Sequence, residues 1–246
     1  MFPGAYTAIV TPFNAAGEVD YDRFRALIDL QIEAGMDGIV PVGTTGESPT
    51  VTTEEHLRII DVAVEAARGR IKVIAGTGAN STAEALELTR HAQRVGADGT
   101  LQVTPYYNKP SPEGLYRHFS AVAEIGLPVI LYNVPGRTGR EIDVATIARL
   151  SRNPLIVAVK EAGGSVERVS QILRRCEILV LSGDDALTLP MMACGAKGVI
   201  SVASNLVPAA VAEMVHQALD GRWEEARQIH RRYYPLFTDL FLDTNP

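Results

Sequence analysis

The sequence predicts an α/β protein whose eight strand–helix units close into a (β/α)8 barrel, and three observations carry that reading. Strand-like and helix-like patterns alternate from end to end with no low-complexity linker between them. The units are evenly spaced over 246 residues, a length that suits one such domain. Each strand also runs into a loop rich in Gly, Thr, Ser or Asn. Closing a barrel brings all such loops to one face, where active sites of this architecture are built. An open doubly wound sheet is the alternative arrangement of the same units.

Residues 7–10, Thr-Ala-Ile-Val, form a first short strand stopped by Thr11-Pro12. Phe24, Leu27, Ile28, Gln31 and Ile32 then recur at helical spacing up to Gly35. A second strand over residues 38–42 ends in the loop Gly43-Thr44-Thr45-Gly46-Glu47-Ser48. The next helix opens with Thr52 and Glu55 at the spacing of a capping box. Residues 72–75 make a third strand, followed by a helix over 82–95. A fourth strand over 100–103 leads into the loop of residues 104–112, and a helix follows, marked by Leu115, Phe119, Val122 and Ala123. Strand five covers 129–132, and a helix near 143–150 follows its loop. Strand six covers 155–161, strand seven 178–182 and strand eight 198–202, with helices near 185–193 and 208–219. The barrel is thus assigned to residues 1–221. Residues 222–246 read as the start of a C-terminal helical extension, apparently truncated, because Asn245-Pro246 is a turn signal rather than a natural end.

Composition narrows the function. A net charge of −6 without a basic cluster weighs against nucleic acid and against an anionic membrane surface. The start at Met1 lacks a basic region followed by a long apolar run, so no signal peptide is expected, and no apolar stretch approaches a bilayer span. Cys176 and Cys194 fit no metal or redox spacing, and a cytoplasmic setting is expected. The five histidines fall on helical stretches without ligand spacing, which argues against a zinc site.

The chemistry is expected at Lys160. Strand six is a buried apolar run, and alternation places Ile156, Ala158 and Lys160 on one face, with the lysine at the carboxyl end. Desolvation there favours a neutral, nucleophilic amine. Tyr132 ends strand five, and neighbouring strands lie about 4.8 Å apart, so phenol and amine can meet. That pair suits iminium chemistry, which needs a group to shuttle protons. Thr44 and Thr45, between Gly43 and Gly46, offer hydroxyl and backbone donors for a small carboxylate. The loop lacks the ending of a nucleotide-binding P-loop. Arg137, between Gly136 and Gly139, offers a bidentate fork for a second carboxylate. Glu161 with Asp184 and Asp185 leaves open a Mg²⁺-dependent aldolase.

The segments Gly43–Glu47, Thr104–Asn108, Tyr132–Gly139, Val159–Glu161 and Ser182–Asp185 together resemble the dihydrodipicolinate synthase family, also called 4-hydroxy-tetrahydrodipicolinate synthases. These are pyruvate-dependent class I aldolases, and the likeness runs along the whole chain. The resemblance implies a TIM barrel that condenses pyruvate with L-aspartate 4-semialdehyde in lysine and diaminopimelate biosynthesis. It implies a covalent Schiff base with pyruvate on Lys160 and no external cofactor or metal. Tyr132, Thr44 and Tyr107 would relay protons, Tyr107 reaching in from a neighbouring subunit of a homotetramer built as a dimer of dimers. Thr45 would bind the pyruvate carboxylate, and the carbonyls of Gly183 and Ile200 would face the lysine and bound pyruvate. Arg137 would receive the carboxylate of the semialdehyde. Ser48, His56, Asn80, Glu84 and Tyr106 match positions that bind inhibitory L-lysine in some members. Pro49 and Thr53 depart from the small residue and histidine usual in lysine-sensitive members, so weak inhibition is expected. Another pyruvate-dependent aldolase and a non-catalytic pyruvate- or lysine-binding regulator remain as alternatives.

Overall fold

The computed structural model describes residues 2–245. Met1 and Pro246, on which the readings of a leaderless start and a C-terminal turn partly fell, lie outside the described residues. Eight parallel strands pair in chain order and the last closes on the first, so the sheet is a closed barrel and not an open doubly wound one. They are β1 Gly4–Ala8, β2 Gly38–Val40, β3 Lys72–Gly76, β4 Gly99–Val103, β5 Val129–Asn133, β6 Ile156–Glu161, β7 Leu179–Ser182 and β8 Gly198–Ser201. Around them lie α1 Tyr21–Glu33, α2 Thr53–Ala67, α3 Thr82–Val95, α4 Pro112–Ala123, α5 Pro135–Thr138 and α6 Val144–Leu150. α7 Glu167–Leu173, α8 Thr188–Ala193 and α9 Pro208–Leu219 complete the ring, and α10 Trp223–Asp239 follows.

Two apolar layers hold this arrangement. Tyr6, Val40, Ile74, Leu101, Ile130, Ala158, Leu181 and Ile200 fill the barrel, while outward residues such as Leu131, Val159 and Val180 pack under the helices. Burying a side chain of this size contributes about 1.5–3 kcal/mol. The α2 capping box forms in full: Glu55 N–H donates to Thr52 Oγ1 and Thr52 N–H to Glu55 Oε2. α10 packs on α9, and its Ala226 and Phe237 enter the outer layer beside Val211 and Met214.

Several boundaries differ from the sequence reading, each for a local reason. β1 starts and ends earlier than residues 7–10, because Gly4 pairs with Gly198 at one end. At the other end its partner β2 stops before Pro41, which has no N–H to continue the ladder. Val42, expected inside β2, instead turns the chain with φ +51°. α8 begins at Thr188 rather than 185, since the Asp185 carboxylate is drawn away to Ser201 and the N–H groups of Val202 and Ala203. α7 has no counterpart in the sequence reading, as its seven residues are too short to display a helical period.

The expectation that Ile156, Ala158 and Lys160 share a face holds for only two of them. Val129 pairs with Ile156 but Ile130 pairs with Ala158, so Val157 is an extra residue in the ladder. Ile156 therefore packs in the outer layer, and Val157 and Ala158 both contact the barrel interior. A bulge of this kind reverses the alternation once and leaves Ala158 and Lys160 in phase.

Candidate active site

The carboxyl ends of β2, β5, β6, β7 and β8 surround a cavity of about 180 Å³ at the mouth of the barrel. Lys160 supplies its floor. The strand pairing sets Tyr132 directly opposite Lys160, and Nζ lies 4.2 Å from the centre of the phenol ring. Both side chains are buried, with Lys160 only 4% exposed, so the amine is screened from bulk water.

Glycine at position 183 makes room for the lysine. A Cβ there would lie 2.9 Å from Lys160 Cε and 2.7 Å from Ala162 Cβ, inside van der Waals contact. Gly183→Ala is therefore expected to displace the amine and slow its reaction with a keto acid at least about tenfold. The rate of borohydride trapping with pyruvate measures this, and an unchanged rate would show that the lysine does not need the space.

The opposite wall is the β2 loop, which turns back on itself at Val42 and Glu47, both with positive φ. Thr11 Oγ1 donates to the Gly46 carbonyl at 2.7 Å and holds the turn against the loop that follows β1. The N–H groups of Glu47 and Ser48 are taken up inside the turn by the Thr44 and Gly43 carbonyls. That leaves Thr44 and Thr45 as the loop residues lining the cavity. Arg137, on α5, lines the rim, and its Nη2 donates to the Thr244 carbonyl at 2.5 Å. Phe241, just beyond α10, lies on the same rim.

Not every candidate meets here. The side chain of Ile200 is fully buried in the barrel opposite Tyr6 and does not line the cavity, and Val202 is the residue at the β8 end of the cavity wall. Tyr107 lies outside the cavity on the β4 loop, 91% exposed and at φ +71°. Asn108 Nδ2 ties that loop to the Asn80 carbonyl at 3.0 Å. The five residues matched to a lysine site are spread over its surroundings. Ser48 lines a small second cavity with Thr44, Gly76 and Tyr132. His56 is buried and donates from Nε2 to the Gly76 carbonyl at 2.8 Å, and burial holds its pKa below the usual histidine range. Burial, and after it the nearby Glu84 charge, raises the pKa of Tyr106.

The carboxylates considered for Mg²⁺ do not converge. Glu161 faces away from the cavity onto Asn133 and Arg168, Asp185 is held by the β8 turn, and Asp184 Oδ1 caps Leu187 N–H. Among the described residues no group of three His, Cys, Asp or Glu side chains is placed to hold a metal ion. Sequence reasoning missed Val134, Ala162, Val202 and Phe241 as cavity lining. Apolar residues in loops carry no chemical signature, and only the closed barrel brings them together.

Comparison with known proteins agrees with this fold. The sequence profile of the dihydrodipicolinate synthetase family matches residues 1–246. The 4-hydroxy-tetrahydrodipicolinate synthase of Persephonella marina is 56% identical over 250 residues, covering 100% of this chain and 85% of that protein. The solved synthase of Methylacidiphilum fumariolicum SolV superposes with a TM-score of 0.98 at 53% identity, over 100% of this chain and 83% of that one. A synthase from Cyanidioschyzon merolae, solved with lysine bound, gives a TM-score of 0.96 at 45% identity, over 100% and 85% of the two chains.

Proposed function

The chain belongs to the dihydrodipicolinate synthetase family, and on that premise we propose how its site works. The reaction is that of the synthases it matches, a lyase-class condensation of the class I aldolase type. Pyruvate is joined to L-aspartate 4-semialdehyde to give 4-hydroxy-tetrahydrodipicolinate, on the way to diaminopimelate and lysine.

In our reading Lys160 Nζ attacks the keto carbon of pyruvate, and loss of water from the carbinolamine leaves an iminium. The iminium is the electron sink: a methyl proton departs and the resulting enamine carbon bonds to the aldehyde carbon of the second substrate. The semialdehyde amine then displaces Lys160 as the ring closes. Tyr132 and Thr44 move the protons, with Tyr107 completing the relay from a neighbouring subunit. Thr45 holds the pyruvate carboxylate, the Gly183 and Ile200 carbonyls face the lysine and bound pyruvate, and Arg137 receives the second carboxylate. The imine supplies the activation that a metal or organic cofactor supplies elsewhere. The single observation that carries this reading is the buried Lys160 amine 4.2 Å from the Tyr132 ring, in one cavity with Thr44, Thr45 and Arg137. Borohydride reduction with pyruvate, run in chelator, tests it by mass spectrometry: the adduct belongs on the Lys160 peptide. An adduct on Lys109 or Lys197 instead would reject the assignment.

Residues 1–221 are the catalytic barrel in this reading, and 222–246 a helical extension. The exposed Tyr106–Tyr107 loop supports a contact between copies, and we assign a homotetramer arranged as a dimer of dimers. No helix among the described residues is long and apolar enough to cross a membrane, and a cytoplasmic enzyme is our reading.

L-Lysine is the proposed effector, since a relative has been solved with lysine bound and Glu84 and Tyr106 are neighbours here. Glu84 would pair with an ammonium, while Ser48, His56 and Asn80 lie on the segments beside it. Calorimetry should detect weak binding at millimolar lysine that weakens roughly tenfold in Glu84→Ala, the loss of one charge-assisted bond. Absence of binding heat, or binding indifferent to the substitution, would remove the site.

A further inference from the structure

Behind the reactive pair, on the far side of β5 and β6, lies a buried charged network that the chemistry above does not use. Glu161 is fully buried. Its Oε1 accepts from Asn133 Nδ2 and from Gly163 N–H, both at 2.8 Å, and its Oε2 accepts from Arg168 Nε at 3.0 Å. Arg168, on α7, extends the network with Nη2 donating to the Ile142 carbonyl at 2.9 Å and Nη1 pairing with Glu141 at 2.8 Å. Asn133 Oδ1 accepts from Ile142 N–H at 2.9 Å, which closes the circuit.

The sequence neighbours of these residues are the catalytic candidates. Asn133 follows Tyr132, Glu161 follows Lys160, and Asn133 pairs with Glu161 as Tyr132 pairs with Lys160. Ile142 closes the loop that carries Arg137. The Glu161 carbonyl accepts from Gly183 N–H at 2.8 Å, so the same residue also fixes the glycine beside the lysine side chain.

The bulge at Val157 gives this network a task. Below it β5 and β6 pair in one register, Val129 with Ile156, and above it in another, Ile130 with Ala158. The upper register is therefore not inherited from the lower half of the strands and has to be fixed where it occurs. A slip of one residue would set Asn133 rather than Tyr132 against Lys160. Stability alone is a weak reason for such a network. Desolvating a carboxylate and a guanidinium is costly, and well-packed apolar residues are often as stable.

We propose that Glu161, with Arg168 and Asn133, is the positioning element of this active site: it sets the register that brings Lys160 to Tyr132 and anchors the base of the Arg137 loop. The proposal rests on the reading of Lys160 as the imine-forming residue. Two variants of the full chain separate its parts, Glu161→Gln and Arg168→Lys. Glu161→Gln leaves Arg168 with only the Glu141 carboxylate and turns an amide N–H2 onto either the Arg168 donor or the Asn133 and Gly163 donors. Its imine-formation rate, followed by borohydride trapping, is expected to fall about tenfold at unchanged fold. kcat should fall in step, with the pyruvate KM, set mainly by the β2 loop, within about threefold of the parent. Arg168→Lys keeps a positive charge beside Glu161 but loses the fork to Ile142. It should raise the semialdehyde KM about tenfold and leave imine formation near the parent rate.

A network that served stability alone would lower the melting temperature without changing either rate per folded molecule. A folded Glu161→Gln that traps pyruvate at the parent rate overturns the proposal. Where that variant does not fold, Arg168→Lys decides, and an unchanged semialdehyde KM or a second failure to fold overturns it equally. The absence of a Lys160 adduct in the unaltered protein is a different failure, visible without any substitution, and removes the Schiff-base reading itself.

Discussion

Lys160→Arg is expected to reduce the condensation by on the order of 10⁴-fold or more, the scale seen when a covalent nucleophile is removed from an intact site. Arginine keeps the positive charge and much of the length but stays protonated, so no neutral nitrogen is available to attack the keto carbon. The surroundings make the effect specific to the amine. Lys160 stands above Ala158, beside the Cβ-free Gly183 and over the Tyr132 ring, and none of these can act as a substitute nucleophile. Steady-state turnover with both substrates and borohydride trapping with pyruvate alone should fail together. Activity retained within about a hundredfold of the parent would mean that Lys160 acts by charge and not through an imine.

Arg137→Ala carries the second large expectation. Two charge-assisted hydrogen bonds to one carboxylate are lost, and kcat/KM for the semialdehyde should fall on the order of a hundredfold. Imine formation with pyruvate should stay near the parent rate, since Arg137 sits at the rim and Lys160 at the floor. In the structure the guanidinium donates to the Thr244 carbonyl. A substrate carboxylate, a charged and therefore stronger acceptor, has to displace that neutral one. Equal losses toward both substrates would show that Arg137 only shapes its loop.

Much of this site is legible in the sequence because its signals are local. A lysine closing a buried apolar run, a tyrosine closing the one before it and a Gly-Thr-Thr-Gly loop each stand out within a few residues. That Tyr132 and Lys160 end neighbouring strands follows from the order of the strands; the register that sets them opposite each other does not. Local patterning failed where a single residue changed the phase. Val157 fits a strand as well as its neighbours do, and nothing in its side chain marks it as the extra residue of a bulge. It failed again at Glu161, where a polar residue after a strand reads equally as a helix cap, a metal ligand or a buried partner for a distant arginine.

The sequence by itself determined the eightfold alternation of strands and helices, a strand-end lysine with a phenol and hydroxyls as the candidate site, and the resemblance that the family comparison confirms. Each depends on residue type and on spacing along the chain, which the chain carries regardless of how it closes. The tertiary structure alone decided which apolar residues line the cavity, that Gly183 leaves the space Lys160 occupies, and that Phe241 and Thr244 reach the rim from beyond α10. It alone joined Glu161 and Asn133 to Arg168 and the end of the Arg137 loop. These are contacts between separate elements of the chain. Their distances are fixed by barrel closure, strand register and packing, which no local pattern of side chains encodes.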